Sequence, residues 1–244
     1  MKTLVKLLML GGVLVGCQTN GNLSPSLAGT GGSMARFAIV GDNLYTVSNT
    51  TLTLFDISTE TNPIKSKDIK LGFGIETIFP YQSNLFIGTQ TGMKIYDNSN
   101  SLNPVEISTY AHVTSCDPVV VQGQYAYVTL RNGTACRNGS NLLEVVDLSN
   151  LKEPKLIKSI QMSNPHGLGV DAKDLFVCEG DFGLKVFDLT DPANPQLTQS
   201  ISDVRSYDVI PQNKLLILTG KDGIYQYDYS NRKQLKPISK IPTE

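Results

Sequence analysis

Gly183-Leu184-Lys185-Val186-Phe187-Asp188-Leu189-Thr190, closed by Asn194-Pro195, is the stretch from which the rest of the chain can be read. It recurs four more times with variation. Leu52 to Ser58 leads to Asn62-Pro63, Met93 to Ser99 to Asn103-Pro104, and Leu143 to Ser149 to Glu153-Pro154. Ile224 to Ser230 leads to Gln234-Leu235, where the proline is missing. Between the aspartates Asp56, Asp97, Asp147, Asp188 and Asp228 the steps are 41, 50, 41 and 40 residues. A fixed period of this length in β-branched and aromatic sequence defines a repeat architecture.

Each unit reads as four short strands. In the fourth they fall at 167–170, 174–178, 183–189 and 196–201, and the alternation of Leu184, Val186 and Asp188 against Lys185 and Phe187 is the two-residue period of a strand. Second-strand aromatics recur at Tyr45, Phe86, Tyr127 and Phe176, with Leu216 in the fifth unit, and are placed to pack between neighbouring sheets. After each third strand the aspartate can accept the backbone N–H two residues on, and proline then suits the entry to an outer strand that needs no ladder donor. One aspartate per sheet at equivalent turns cannot converge on a single ion, so no metal site is read from them, and no cofactor is implied.

Five such units predict an all-β, five-bladed β-propeller of four-stranded antiparallel blades. Residues 34–244 form this domain, from an innermost strand at about Arg36–Val40 to an outer strand at about Lys236–Ile241. Every sheet is then consecutive in sequence, and the ring must close by side-chain packing between its first and last blades. The small tether residues Gly29 to Ser33 could assist, which the sequence itself does not show. The second strand Gln124-Tyr125-Ala126-Tyr127-Val128, the third strand Leu143 to Ser149 and the Asn-Pro turns resemble the LVIVD-repeat proteins of bacterial cell envelopes. The resemblance covers nearly all of the chain after residue 33 and implies a propeller and an exported location, with no common reaction. The fifth unit departs most from it, with Gln226 for an apolar residue and Leu235 for proline.

The N-terminus reads as an address. Lys2 and Lys6 precede an apolar run, Leu7 to Val15, too short to span a bilayer. Leu14-Val15-Gly16-Cys17 resembles the bacterial lipobox, which implies a lipoprotein signal peptide over 1–16, palmitate-type acylation of Cys17 and attachment to the membrane by lipid. Gln18 in place of aspartate implies the outer membrane, on its periplasmic or outer side. Residues 17–33, rich in Gly, Ser, Asn and Thr, read as a flexible tether.

The third unit carries about nine extra residues, Arg131 to Ser140, between its second and third strands. In a propeller that loop lies on the same face as the connection holding Cys116. An exported chain permits disulfides, so Cys116 and Cys136 form a predicted pair worth roughly 3 kcal/mol in the chain-entropy model. Cys178 reads as a buried free thiol.

Innermost strands of a propeller begin at its central channel. Counting back from the second-strand aromatics places Arg36, Glu76, Asp117, His166 and Asp208 around one channel mouth, a candidate ligand site. Carboxylates around His166 would raise its titration above its usual value near 6.5. Asp117, beside the disulfide, reads as structural, and His112 as solvated. The sequence has no Gly-x-Ser-x-Gly elbow, His-Glu-x-x-His or phosphate loop, so no catalytic residue is assigned. Glu179 and Asp181 could form an acid/base pair on the His166 face. A net charge of −1 gives no general attraction for nucleic acid, and Lys65, Lys67, Lys152 and Lys155 read as solvated strand faces. The sequence therefore predicts a non-enzymatic, lipid-anchored binding or scaffold propeller that meets an envelope protein or glycan. The alternative is a hydrolase or lyase acting on a sugar or small ester at the channel mouth.

Overall fold

The computed structural model describes residues 31–112, 118–133 and 140–243. Cys17, Cys116, Asp117 and Cys136 lie outside them, as does the signal-and-tether stretch up to residue 30. The described residues form twenty strands in five antiparallel sheets of four. No helix among them is long and apolar enough to cross a membrane. Blade 1 comprises β1 (Phe37–Val40), β2 (Asn43–Val47), β3 (Thr51–Asp56) and β4 (Ile64–Lys70). Blade 2 comprises β5 (Ile75–Tyr81), β6 (Asn84–Thr89), β7 (Gly92–Asp97) and β8 (Val105–Ala111). Blade 3 holds β9 (Val119–Gln122), β10 (Tyr125–Leu130), β11 (Leu142–Asp147) and β12 (Lys155–Gln161). Blade 4 holds β13 (Leu168–Asp171), β14 (Asp174–Cys178), β15 (Leu184–Asp188) and β16 (Gln196–Ile201). Blade 5 is β17 (Ser206–Gln212), β18 (Leu215–Gly220), β19 (Gly223–Asp228) and β20 (Lys236–Pro242).

The repeated turn forms as its chemistry requires. In all five blades the aspartate carboxylate accepts the N–H two residues on, at 2.7–2.9 Å, from Ser58, Ser99, Ser149, Thr190 and Ser230. The same serines, through hydroxyl and N–H together, hold the carboxylates of Asp56, Asp97, Asp147 and Asp228 below their ordinary range, and at Asp188 Arg232 is the larger cause. Just before each turn the third and fourth strands slip register by one residue, at Leu54/Phe55 and its four counterparts. A bulge of this kind bends the outer strand and increases its twist.

Four of the five contacts between blades are packed. Tyr45, Leu54, Ile78 and Leu85 join blades 1 and 2; Phe86, Ile95, Val121 and Val128 join 2 and 3. Tyr127, Val145, Leu175 and Val177 join 3 and 4; Phe176, Val186, Leu216 and Tyr229 join 4 and 5. Polar clasps reinforce them: the Tyr45 hydroxyl donates to the Ser101 carbonyl at 2.9 Å, Tyr127 to that of Pro192 at 3.0 Å, and Tyr229 to Asp171 at 2.8 Å.

The fifth contact is different. Among the described residues no buried apolar cluster and no hydrogen bond joins a strand of blade 5 to a strand of blade 1. The register explains part of this. Tyr45, Phe86, Tyr127 and Phe176 pair with Leu54, Ile95, Val145 and Val186, and the fifth residue in that series is Ile217, opposite Gln226. Leu216, which the sequence spacing puts in the series, instead faces blade 4. The position that should carry an aromatic toward blade 1 thus carries a half-buried isoleucine, beside a glutamine that accepts from Ser239 at 2.7 Å.

Candidate ligand site at the channel mouth

The inner strands of blades 1 to 4 begin around one cavity of about 260 Å³, lined by Met34, Arg36, Glu76, Thr77, Pro118, Arg131 and His166. Three of the five residues expected at the channel mouth therefore share a site. Arg36 is fixed by donating Nη2 to the Ile75 carbonyl at 3.1 Å and Nε to that of Val47 at 3.4 Å, which straddles blades 1 and 2. Glu76 is the extra residue of a bulge between Ile75 and Thr77, an irregularity that re-aims a side chain at a strand end. Asp117 precedes the lining residue Pro118 and lies outside the described residues.

His166 stands in the turn between β12 and β13. Its N–H donates to the Cys178 carbonyl at 2.8 Å, its carbonyl accepts from the Thr129 hydroxyl at 2.7 Å, and its ring lies 5.3 Å from that of Tyr207. Burial, and then the nearby Arg131 charge, push its pKa down to about 4, with Asp181 acting weakly in the other direction. This reverses the expectation of a raised value. Counting along the sequence placed carboxylates around the ring, whereas the fold withdraws it from water and sets a guanidinium beside it.

Asp208 is not among the residues lining the cavity. It lies beneath the segment leading into β1, accepting from the Ser33 hydroxyl at 3.3 Å and from the backbone of Ser33, Met34 and Val209. Burial raises its carboxyl to about 6 despite those donors. The Glu179–Asp181 acid/base pair is also corrected. Glu179 is fully buried, accepts from the Ser163 N–H at 2.6 Å and pairs with Lys185 at 2.7 Å, which commits it to blade 4. His112 is half-buried rather than solvated, with its ring 6.0 Å from Tyr110. Cys178 is a buried free thiol, and its pKa is pushed up by burial. Lys65, Lys67, Lys152 and Lys155 are exposed.

Sequence reasoning missed Met34, Thr77, Pro118 and Arg131. Arg131 opens the long insertion of the third unit, and its position after a second strand at the channel face was a usable signal. Met34 opens the propeller domain just ahead of the first strand, where neither alternation nor a motif marks it.

Fold and cavity together define a five-bladed β-propeller with a polar channel mouth. Residues 115–161, which span the third unit, match the family profile described as the LVIVD repeat. Among solved structures the chain is similar to a functionally unknown protein from Desulfotomaculum acetoxidans DSM 771, at TM-score 0.70 and 12% identity, covering 85% of this chain and 69% of that one. It is similar to the computationally designed Ika8 protein at TM-score 0.62 and 14% identity, covering 85% and 62%. It is also similar to BamB from Moraxella catarrhalis at TM-score 0.58 and 13% identity, covering 84% and 62%. At these identities the likeness shows the fold alone, and the chain spans less than two thirds of the last two proteins. No curated protein sequence matches the chain.

Proposed function

We propose that this chain is a lipid-anchored, non-enzymatic binding propeller of the bacterial cell envelope, carried on the outer membrane by acylated Cys17. The channel-mouth cavity is its ligand site. One observation carries the reading: Arg36, Glu76, Arg131 and His166, drawn from four blades, line a single cavity of about 260 Å³. Concave sites with a few convergent polar groups are where propellers and other scaffolds bind ligands. A cavity this small suits a polar side chain or one sugar unit of an envelope protein or glycan. Neutral His166 can donate or accept there, and the guanidiniums supply fixed donors.

The test is His166→Ala. It should weaken capture of the partner from envelope extracts while leaving the melting temperature nearly unchanged. A melting shift of several degrees with capture intact would make His166 structural and sink the site. The hydrolase or lyase reading keeps one specific support, that Glu76 and His166 share the cavity. Turnover of sugar or small ester substrates that is lost in both Glu76→Gln and His166→Ala would favour it over binding alone.

Two parts of the proposal concern residues outside the described ones. Cys17→Ser should abolish metabolic palmitate labelling, and unchanged labelling would remove the anchor. Non-reducing peptide mapping should join Cys116 to Cys136, and a link from Cys178 to either would break the blade register.

A further inference from the structure

We infer that Asp208 and Ser33 are positioning residues: they pin Gly31–Arg36 as a strap across the channel mouth, so that Met34 and Arg36 become part of the cavity wall. The inference rests on the cavity being the ligand site, but its geometry can be tested separately.

The strap is held at both ends. At one end Ser33 is buried, and its hydroxyl donates to Asp208 Oδ1 at 3.3 Å while accepting from the Leu168 N–H at 2.7 Å. A hydroxyl can do both at once, which ties the strap to blade 5 and blade 4 through one atom. The backbone of Ser33 and Met34 donates to the same carboxylate. At the other end the Ala35 carbonyl accepts from the Ile78 N–H of blade 2 at 3.0 Å, and the Arg36 carbonyl accepts from Val47 at 2.8 Å. Between them the Ala35 N–H donates to the Gly32 carbonyl at 3.0 Å, a turn that leaves Met34 at its tip. Met34 and Arg36 both line the cavity.

Two glycines show how closely the carboxylate is fitted. A Cβ at Gly32 would stand 2.0 Å from Asp208 Oδ2, and one at Gly167 would stand 2.2 Å from Oδ1. Neither position can take a side chain without moving the carboxylate or the backbone that donates to it. Because blade 5 and blade 1 share no apolar cluster, the strap also supplies the described hydrogen bonds that link blade 5 to the chain entering blade 1. The other titratable group that feels this carboxylate is the buried Cys178 thiol.

The experiment is NMR of the mature chain with labelled methionine methyl groups and histidine rings. Met34 reports the strap, while Met93 and Met162, both buried in blades, report the fold. In the unaltered protein the Met34 methyl should titrate with a midpoint near 6 while Met93 and Met162 stay fixed. A flat Met34 profile between about pH 4.5 and 7.5 overturns the inference without any substitution. Ser33→Ala and Gly32→Ala should each move the Met34 methyl toward its unstructured shift and raise the His166 midpoint from about 4 toward 6.5. With Met93 and Met162 dispersed as before, an unmoved Met34 and His166 in both variants overturns it as well. If both move and capture from envelope extracts falls in parallel, positioning of the site is supported. If both move and capture is unchanged, the pin stands and the cavity is not the capturing site.

Discussion

The contact between blades 4 and 5 and the contact between blades 5 and 1 are built from the same repeat, yet only the first is packed. Phe176 is fully buried against Tyr229, ring centroids 5.1 Å apart, and Arg232 reaches back to Asp174 and Asp188 at 2.8 Å. On the other side of blade 5, Ile217 stands in the register position of Phe176, and Ile224 and Ile241 are exposed. The facing side of blade 1 shows an exposed Phe37. A propeller made of consecutive sheets has no shared strand to hold its ends together. Here closure falls to the strap and the Asp208 carboxylate rather than to apolar burial. The same strap builds the cavity, which links the weakest structural contact to the site.

The comparison breaks first if the two contacts cost the same to disturb. Phe176→Ala should destabilise by about 3–5 kcal/mol, as large aromatic truncations in packed cores do. Ile217→Ala, in the equivalent but half-buried position, should cost about 1 kcal/mol or less from the apolar area lost. Denaturant unfolding measures both, and equal losses would mean that the fifth contact is packed after all. Arg232→Ala should cost about 1–3 kcal/mol, because it strips the largely buried Asp174 of its cationic partner. Lys214→Ala, which removes an exposed partner of Asp171, should cost less than about 1 kcal/mol.

The pH dependence sharpens the comparison further, because the two shifted groups act in opposite directions. His166 has its folded pKa depressed to about 4 from 6.5. Its contribution to stability is complete above 6.5 and is lost as the pH falls toward 4, where the unfolded chain holds the extra proton. Asp208 has its folded pKa raised to about 6 from 3.8. Its contribution is complete below 3.8 and is lost as the pH rises through 6. Between about pH 4 and 6 the two slopes oppose each other. Asp208→Asn removes one of them, so its melting temperature should fall more steeply on acidification than that of the unaltered protein. Parallel profiles would remove Asp208 from the account.

Another small effect is expected for Tyr45→Phe. It forfeits the hydroxyl's hydrogen bond to Ser101 and leaves the ring in place, at a cost of about 1 kcal/mol. Phe86 and Phe176 already occupy the same register position without a hydroxyl. A loss above about 3 kcal/mol would mean that the polar clasp, not the ring, carries the first contact.

The architecture was legible because its signal is local and repeated. Asp56, Asp97, Asp147, Asp188 and Asp228 make the same turn for the same reason, and the strand alternation between them needs no long-range information. The register failed where alternation fails: Leu215-Leu216-Ile217-Leu218 is apolar throughout, so nothing in it distinguishes the face toward blade 4 from the face toward blade 1. Counting to strand starts found Arg36, Glu76 and His166 in one cavity. It could not tell that Asp208 lies under the strap, because the small residues Gly29 to Ser33 suggest help with closure but name no partner for it. It also mistook the electrostatics of His166, since burial and the Arg131 guanidinium lower its titration where carboxylates of the channel-mouth ring were expected to raise it.

Native-state hydrogen exchange across all five blades tests the central claim most directly, that four contacts are packed and one is clasped. The account predicts that amides of β1–β3 and of β17–β19 exchange through a partial opening well below the global unfolding free energy. Amides of β6, β10 and β14 should exchange only with global unfolding, and Ser33→Ala should lower protection in blades 1 and 5 and, beyond them, at the Leu168 amide whose acceptor it removes. Uniform protection of all five blades, unchanged by Ser33→Ala, would contradict it.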